Sequence, residues 1–256
     1  MDFTSFMAGF ALLAFWLNTL LIAGAGLSEC LALRRRYAAR LATGNLRRGT
    51  VVAAEGGEEM ARWRARQVGR SNGRGPILFH DRARSSTVLG GALQLEDGTR
   101  VVLPAGADGE VWIAEDRKRR AAACDSVEAF AAALPGASRA AGWERSVEAT
   151  LRVGDTIWLG GQVGSAAIVL ADLDPRAWRA RITGLTAVLV LGVVVVAAGC
   201  TLLCLWPPVF GTLSKIGAFA AVVAFNLFQL AGKLHHDAIQ PPPERTLEGV
   251  WARPRG

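Results

Sequence analysis

The chain is poor in the residues on which most protein chemistry relies. Among 256 residues there are four cysteines, three histidines, three methionines and one tyrosine. So few cysteines exclude a disulfide scaffold in a chain of this length. Cys30, Cys124, Cys200 and Cys204 are scattered, and two of the histidines are the neighbours His235 and His236, which excludes a zinc module. The glycine pairs Gly56-Gly57, Gly90-Gly91 and Gly160-Gly161 lack the spacing that cradles a phosphate and read as turns or bulges. No Lys or Arg precedes the first apolar run, and none interrupts any of the three longest ones.

What is present is apolar and basic at once. Hydrophobic residues make up 51% of the chain, and 29 Lys and Arg face 22 Asp and Glu. That much apolar surface excludes disorder of the whole chain. The apolar residues are concentrated in three runs, 7–27, 182–206 and 216–232. A helix crossing the hydrocarbon core of a bilayer needs roughly 20 apolar residues, with about 17 as the lower limit. The first two runs are read as transmembrane helices. The third is short and opens after Lys215, which can snorkel to the interface; a re-entrant or interfacial helix is the alternative. The first run is longer than a signal-peptide core and is followed by Arg34, Arg35 and Arg36, so it is expected to stay as an anchor.

Basic residues near the run ends set the expected orientation. Arg34, Arg35, Arg36 and Arg40 follow the first run, and Arg176, Arg179 and Arg181 precede the second. Lys233, Arg245, Arg253 and Arg255 follow the third. The expectation is a multi-pass protein of the inner (cytoplasmic) membrane with its N-terminus outside and its C-terminus cytoplasmic. The segments are an anchor at 1–33, a cytoplasmic β-rich domain at 34–181, a second membrane helix at 182–206, a loop and third helix at 207–232, and a cytoplasmic tail at 233–256. The fold class is α+β: about three transmembrane helices, with a β-rich soluble domain inserted between the first and second.

Residues 34–181 carry the whole formal charge of +7. Their pattern is mostly strand. Residues 62–68 alternate and put Trp63, Ala65 and Gln67 on one face. Asp97-Gly98 between two apolar stretches predicts a tight hairpin. Further strands are expected at 50–54, 76–80, 109–114, 143–151, 156–159 and 166–171. A helix is expected after Asp125, with Glu128 completing a capping box, and another from Asp174 and Pro175 into the second run. Trp178 with Arg176, Arg179 and Arg181 has the composition of an interfacial belt facing lipid, as do Arg34, Arg35 and Arg36.

The order of these segments resembles a known family. GTVVA is followed by MARWRARQV, ALQLEDGTRVVLPAG, WERSVEATLRVGDTIWLGG and AIVLADLDPRAWRAR leading into the membrane. This is similar to the GIDE-type (BAM) domain of membrane-anchored mitochondrial E3 ubiquitin ligases and their bacterial relatives. The matching positions are 95–102, Glu148, Gly154-Asp155 and 157–160, and the resemblance spans roughly 44–180. It implies a domain for membrane-side binding and assembly. The eukaryotic ligases end in a zinc-binding RING finger; here no cysteine follows Cys204, so ligase activity does not carry over.

Other features have plainer readings. His80-Asp81, at a strand end, is read as a solvated loop, and the charge run from Glu115 to Arg120 as a solvated loop or a contact for lipid headgroups. That run lacks the interleaved aromatics of a nucleic-acid surface, so no nucleic-acid partner is expected. Adjacent histidines point in different directions on a helix, so His235-His236 makes a poor metal site. Asn18, Asn226 and Gln229 are the polar residues inside the runs, and amides in lipid pair across helices. They are read as packing contacts, within the chain or with a partner. The expected function is non-enzymatic, with no cofactor: a binding and assembly module in contact with membrane lipids and with a protein partner or a second copy. The alternatives are a component of an E3 ligase-like modification system, by family analogy alone, and a small membrane transport subunit.

Overall fold

The computed structural model describes residues 3–42, 45–55, 57–70, 77–122, 143–161, 168–208, 211–244 and 249–251. It contains α-helices and β-sheets in two compact units. One unit comprises Met1–Tyr37 and Ala177–Gln240, the other Ala38–Arg176 and Pro241–Gly256. The helix expected after Asp125 and the cysteine Cys124 lie outside the described residues.

The first unit is built from three long helices: α1 (Phe3–Arg36), α3 (Pro175–Cys204) and α4 (Thr212–Ile239). All three are long and apolar enough to cross a membrane. At about 1.5 Å per residue, even α4 with its 28 residues exceeds the roughly 30 Å of hydrocarbon. The third apolar run is therefore only the middle of a longer helix. Asp174 caps α3: its Oδ1 accepts from the Arg176 N–H at 2.9 Å. Packing in this unit is inside-out. Its core holds Phe15, Ala23, Leu189, Val193, Ala197, Cys200, Ala224 and Phe228, while Leu13, Val188, Leu191, Phe219 and Val222 point outward. Small inner residues let helices approach closely. A Cβ on Gly217 would lie 2.6 Å from the Cys204 backbone nitrogen.

The second unit holds ten strands and a short helix. In chain order these are β1 (Leu46–Ala54), β2 (Glu59–Arg70), β3 (Ile77–Val88), β4 (Gly91–Leu95), β5 (Arg100–Leu103), β6 (Gly109–Trp112), α2 (Glu115–Ala122), β7 (Trp143–Arg152), β8 (Thr156–Gly160), β9 (Ile168–Ala171) and β10 (Gly249–Trp251). One sheet runs β5-β4-β1-β8-β9-β6, the other β10-β3-β2-β7. All pairs are antiparallel except β6 with β9. Trp63, Ala65, Val88, Leu93, Leu103, Val111, Leu151, Ile157, Leu159 and Leu170 from both sheets meet in one buried core. The β4–β5 hairpin turns at Asp97-Gly98 as expected. The Thr99 N–H donates to Asp97 Oδ1 at 2.8 Å, which holds the Asp97 carboxyl below its ordinary pKa, and Gly98 takes a φ of +83°. Gly91, at φ +153°, lies against β1, where a Cβ would sit 2.3 Å from the Ala53 carbonyl oxygen.

Three expectations are corrected here. The charge run after Ala114 is a helix, because Glu115–Arg119 and Asp116–Arg120 form i,i+4 pairs along it. His80 and Asp81 lie inside β3, because that strand runs on to Val88. The β unit is not completed by an insertion between the first and second helices. Helix α1 precedes every strand, and β10 follows α4 and pairs with β3, Val250 opposite Leu78. The segment 233–256 thus supplies the last two turns of α4 and a strand, not only a tail.

Candidate functional site

The helical unit carries its polar chemistry in a seam between helices. Trp16 Nε1 on α1 donates to Thr201 Oγ1 on α3 at 3.0 Å. Gln229 Nε2 on α4 donates to Asn18 Oδ1 on α1 at 2.5 Å. Ser214 Oγ on α4 donates to the Cys204 carbonyl of α3 at 2.8 Å. Toward the other end, His235 Nε2 lies 2.9 Å from Thr186 Oγ1. That hydroxyl already donates to the Ile182 carbonyl, so the imidazole is the donor. His236 Nδ1 lies 2.5 Å from Glu29 Oε1. The adjacent histidines do diverge: one reaches α3, the other α1. Every pair of the three helices is joined by at least one side-chain hydrogen bond.

This seam uses Asn18 and Gln229 as expected but not Asn226, whose amide donates to the Val222 carbonyl of its own helix at 2.9 Å. Asn226 lines an apolar cleft of about 520 Å³ with Ala11, Phe15, Ser214 and Lys215. Among the described residues, no group of three or more His, Cys, Asp or Glu side chains is placed to hold a metal ion.

The residues read as an arginine belt differ in exposure. Arg34, Arg35 and Arg36 are exposed on the last turn of α1, Arg181 is exposed on α3, and Arg179 is half-buried. Trp178 differs. It is only 4% exposed and packs edge-on against Tyr37, with ring centroids 5.4 Å apart, so it does not face lipid. Tyr37 in turn lies under the Arg36 guanidinium at 5.2 Å. The one tyrosine of the chain fills the place that the sequence reading left to the bilayer. In the β unit, the guanidiniums of Arg176 and Arg48 lie 5.3 Å and 5.8 Å from the Trp158 ring centre.

The outer face of the second sheet is a ladder of exposed ion pairs. Arg64 meets Glu148 at 2.5 Å, and Arg66 meets Glu144 at 2.6 Å. The Arg66 hydrogen bond and charge hold the Glu144 carboxyl below its ordinary pKa. Such exposed pairs contribute little to stability. The inner face ends in a buried polar cluster. Gln67 Nε2 donates to Asp81 Oδ1 at 2.6 Å, and its Oε1 accepts from Arg145 Nε at 2.7 Å. Arg84 Nε donates to Asp81 Oδ2 at 2.6 Å, and the Arg145 guanidinium stacks 4.0 Å from the Phe79 ring centre. Lys118 is 2% exposed, its ammonium 4.2 Å from the Trp63 ring centre.

Nearby, Asp172 Oδ1 accepts from the Ala114 N–H at 2.6 Å, and Arg117 bridges Asp155 at 2.6 Å and Asp172 at 3.6 Å. Burial pushes the Asp172 pKa up, against those contacts. Arg84, Arg145 and Thr186 had no signal in the sequence, and nothing in His80-Asp81 or in the charge run signalled that the Asp81 and Lys118 side chains are buried. Their partners lie from 3 to 124 positions away in the contacts of Asp81 with Arg84 and Lys118 with Pro242. No family model, curated protein or solved structure matches the chain.

Proposed function

We propose that the chain is a non-enzymatic multi-pass protein of the inner (cytoplasmic) membrane. Its β unit is a cytoplasmic binding and assembly module, as the resemblance to GIDE-type domains implies. The observation that carries this reading is the contrast in packing. The helical unit turns its large apolar side chains outward and joins its helices through amides, hydroxyls and imidazoles, as lipid requires. The β unit closes its own apolar core and shows charge outward. Membrane lipids are the partners of Arg34, Arg35, Arg36, Arg176, Arg179 and Arg181, and a protein partner or a second copy is the partner of the β unit.

The pairing of β10 with β3 supports the orientation. The two strands lie on opposite sides of α3 and α4 in the sequence, so the chain crosses an even number of times between them. If α3 spans, α4 spans back, which places the C-terminus on the side of the β unit. The arginines at 34–36 and 176–181 make that side the cytoplasm. Two measurements test the reading. The full-length protein purified in mild detergent is expected to run as a defined assembly, with itself or with a stoichiometric partner; a lone monomer overturns it. Tags on the two ends of the chain, in cells with a permeabilised outer boundary, are expected to react at the N-terminus only; reaction at the C-terminus overturns the orientation.

A further inference from the structure

The cleft in which Asn226 lies is an open space among the described residues of the helical unit. It runs between α1 and α4, and its volume of about 520 Å³ falls within the range of ligand pockets. Ala8, Ala11 and Ala14 line it from α1, and Ala218 and Ala221 from α4. Side chains this small leave the space between the helices open. Just past Asn226 the helices close again: Phe15 stacks on Phe228 with ring centroids 5.9 Å apart, and Gln229 bonds Asn18. The other end of the cleft carries Ser214 and Lys215. From Lys215 to Asn226 α4 rises about 16 Å. That is roughly half the hydrocarbon thickness of a bilayer, the depth of one leaflet.

Lys215 is the one charged residue among the described side chains that line the cleft. It is exposed and makes no ion pair among the described residues. It stands at the start of α4, where the first turn holds no acidic residue and Gly211 supplies no side-chain cap. The partial positive charge of the helix N-terminus adds to that of the ammonium. We propose that the cleft is a site for one anionic phospholipid, with an acyl chain along the alanines and the phosphate at Lys215. The inference rests on the membrane reading above. It adds a ligand at the opposite end of α1 from Arg34, Arg35 and Arg36. Charge and length together choose this occupant. A single acyl chain matches the apolar lining and its depth, and the headgroup supplies the anion that Lys215 lacks. A second copy docked here symmetrically would instead set two Lys215 ammoniums side by side in a medium of low dielectric.

The test uses the full-length protein in phosphatidylcholine vesicles. One sample receives a trace of phosphatidylglycerol with a photoactivatable diazirine on an acyl chain, the other a trace of phosphatidylcholine with the same chain. Both probes enter both leaflets, so the result does not depend on orientation. After illumination, labelled residues are located by mass spectrometry. The expected label falls on residues 8–15 and 218–226, with the anionic probe favoured about fivefold, the preference that one Lys gives an anionic headgroup. Lys215→Gln is expected to remove the preference and Lys215→Arg to keep it. Ala218→Phe, at an exposed position, fills the cleft and is expected to remove the label there from both probes. Equal labelling by the two probes, or a preference that survives Lys215→Gln, overturns the anionic site. Label spread evenly over the three helices overturns the cleft as a site. Cleft residues that take no label while the neighbouring outer faces do are covered by protein, which overturns it as well. In these outcomes the membrane reading stands; a chain that does not enter the vesicles removes both.

Discussion

The two units solve opposite problems with opposite residues. In the β unit, apolar side chains from two sheets are drawn together by the exclusion of water, and burial of residues such as Trp63, Leu93 and Leu159 supplies the driving force. On the proposed membrane reading, the surroundings of the helical unit are as apolar as its side chains, so burying Leu gains little and many of the large residues are left outside. Helix pairing there falls to close packing at Gly217 and Ala224 and to side-chain hydrogen bonds. The same polar residue therefore has different worth in the two places. An amide on the surface of the β unit is ordinary, whereas Asn18 in the bundle joins α1 to α4 through Gln229.

Four substitutions would break or sharpen this contrast. The largest effect is expected from Trp63→Ala, which empties the centre of the β core. A loss of about 3–5 kcal/mol is typical of such a cavity. Proteolysis of the protein in detergent should then cut within the β unit while the helices stay intact; simultaneous loss of both would show that the units are not energetically separate. Gly91→Ala comes next. It places a Cβ against the Ala53 carbonyl at a φ that L-residues rarely adopt, at a cost of about 1–3 kcal/mol from backbone strain alone. The melting temperature of the β unit should fall, and that of the helices should not. Asn18→Leu is expected to reverse the pattern. Loss of the Gln229 bond costs the bundle about 1 kcal/mol, read as earlier loss of helical signal on titration with a denaturing detergent, with β stability unchanged.

The smallest effect is a pH slope. Burial raises the folded-state pKa of Asp172 above the unfolded carboxylate value of about 3.9. Between those two values the native state holds the extra proton. Stability of the β unit therefore falls as pH rises through that window and is level above it. Asp172→Asn keeps an acceptor for the Ala114 N–H and should flatten the slope. Denaturation curves collected from pH 3.5 upward would show it, and an unchanged slope would mean that another group causes it.

What was legible in the sequence is what is decided locally. Asp97-Gly98 specifies a hairpin within four residues, and Asp174-Pro175 specifies a helix start by capping and a fixed φ. The alternation that buries Trp63, Ala65 and Gln67 is likewise written in β2 itself. The helix at Glu115 had a local signal too, in its two i,i+4 pairs, but the density of charge read as a solvated loop. Other features rest on partners distant in sequence. Nothing near Lys118 announces that it will lie buried on the Trp63 ring, and nothing near Trp178 announces Tyr37. A strand of three residues at Gly249 is too short for any periodicity to mark. In the candidate site the amides stood out because lipid makes any polar group conspicuous, but which amide found a partner depended on helix rotation. That is why Gln229 joins the seam and Asn226 does not.

The position of β10 also imposes an order on synthesis. The first nine strands leave the ribosome before either α3 or α4, yet the second sheet lacks its edge until the final residues appear. On the proposed topology, a chain whose fourth helix failed to insert would carry that edge to the wrong side of the membrane. The β unit would then stay open at β3, exposing a strand edge to proteases and chaperones. On that topology, the edge of the second sheet is completed only in chains in which both α3 and α4 have inserted.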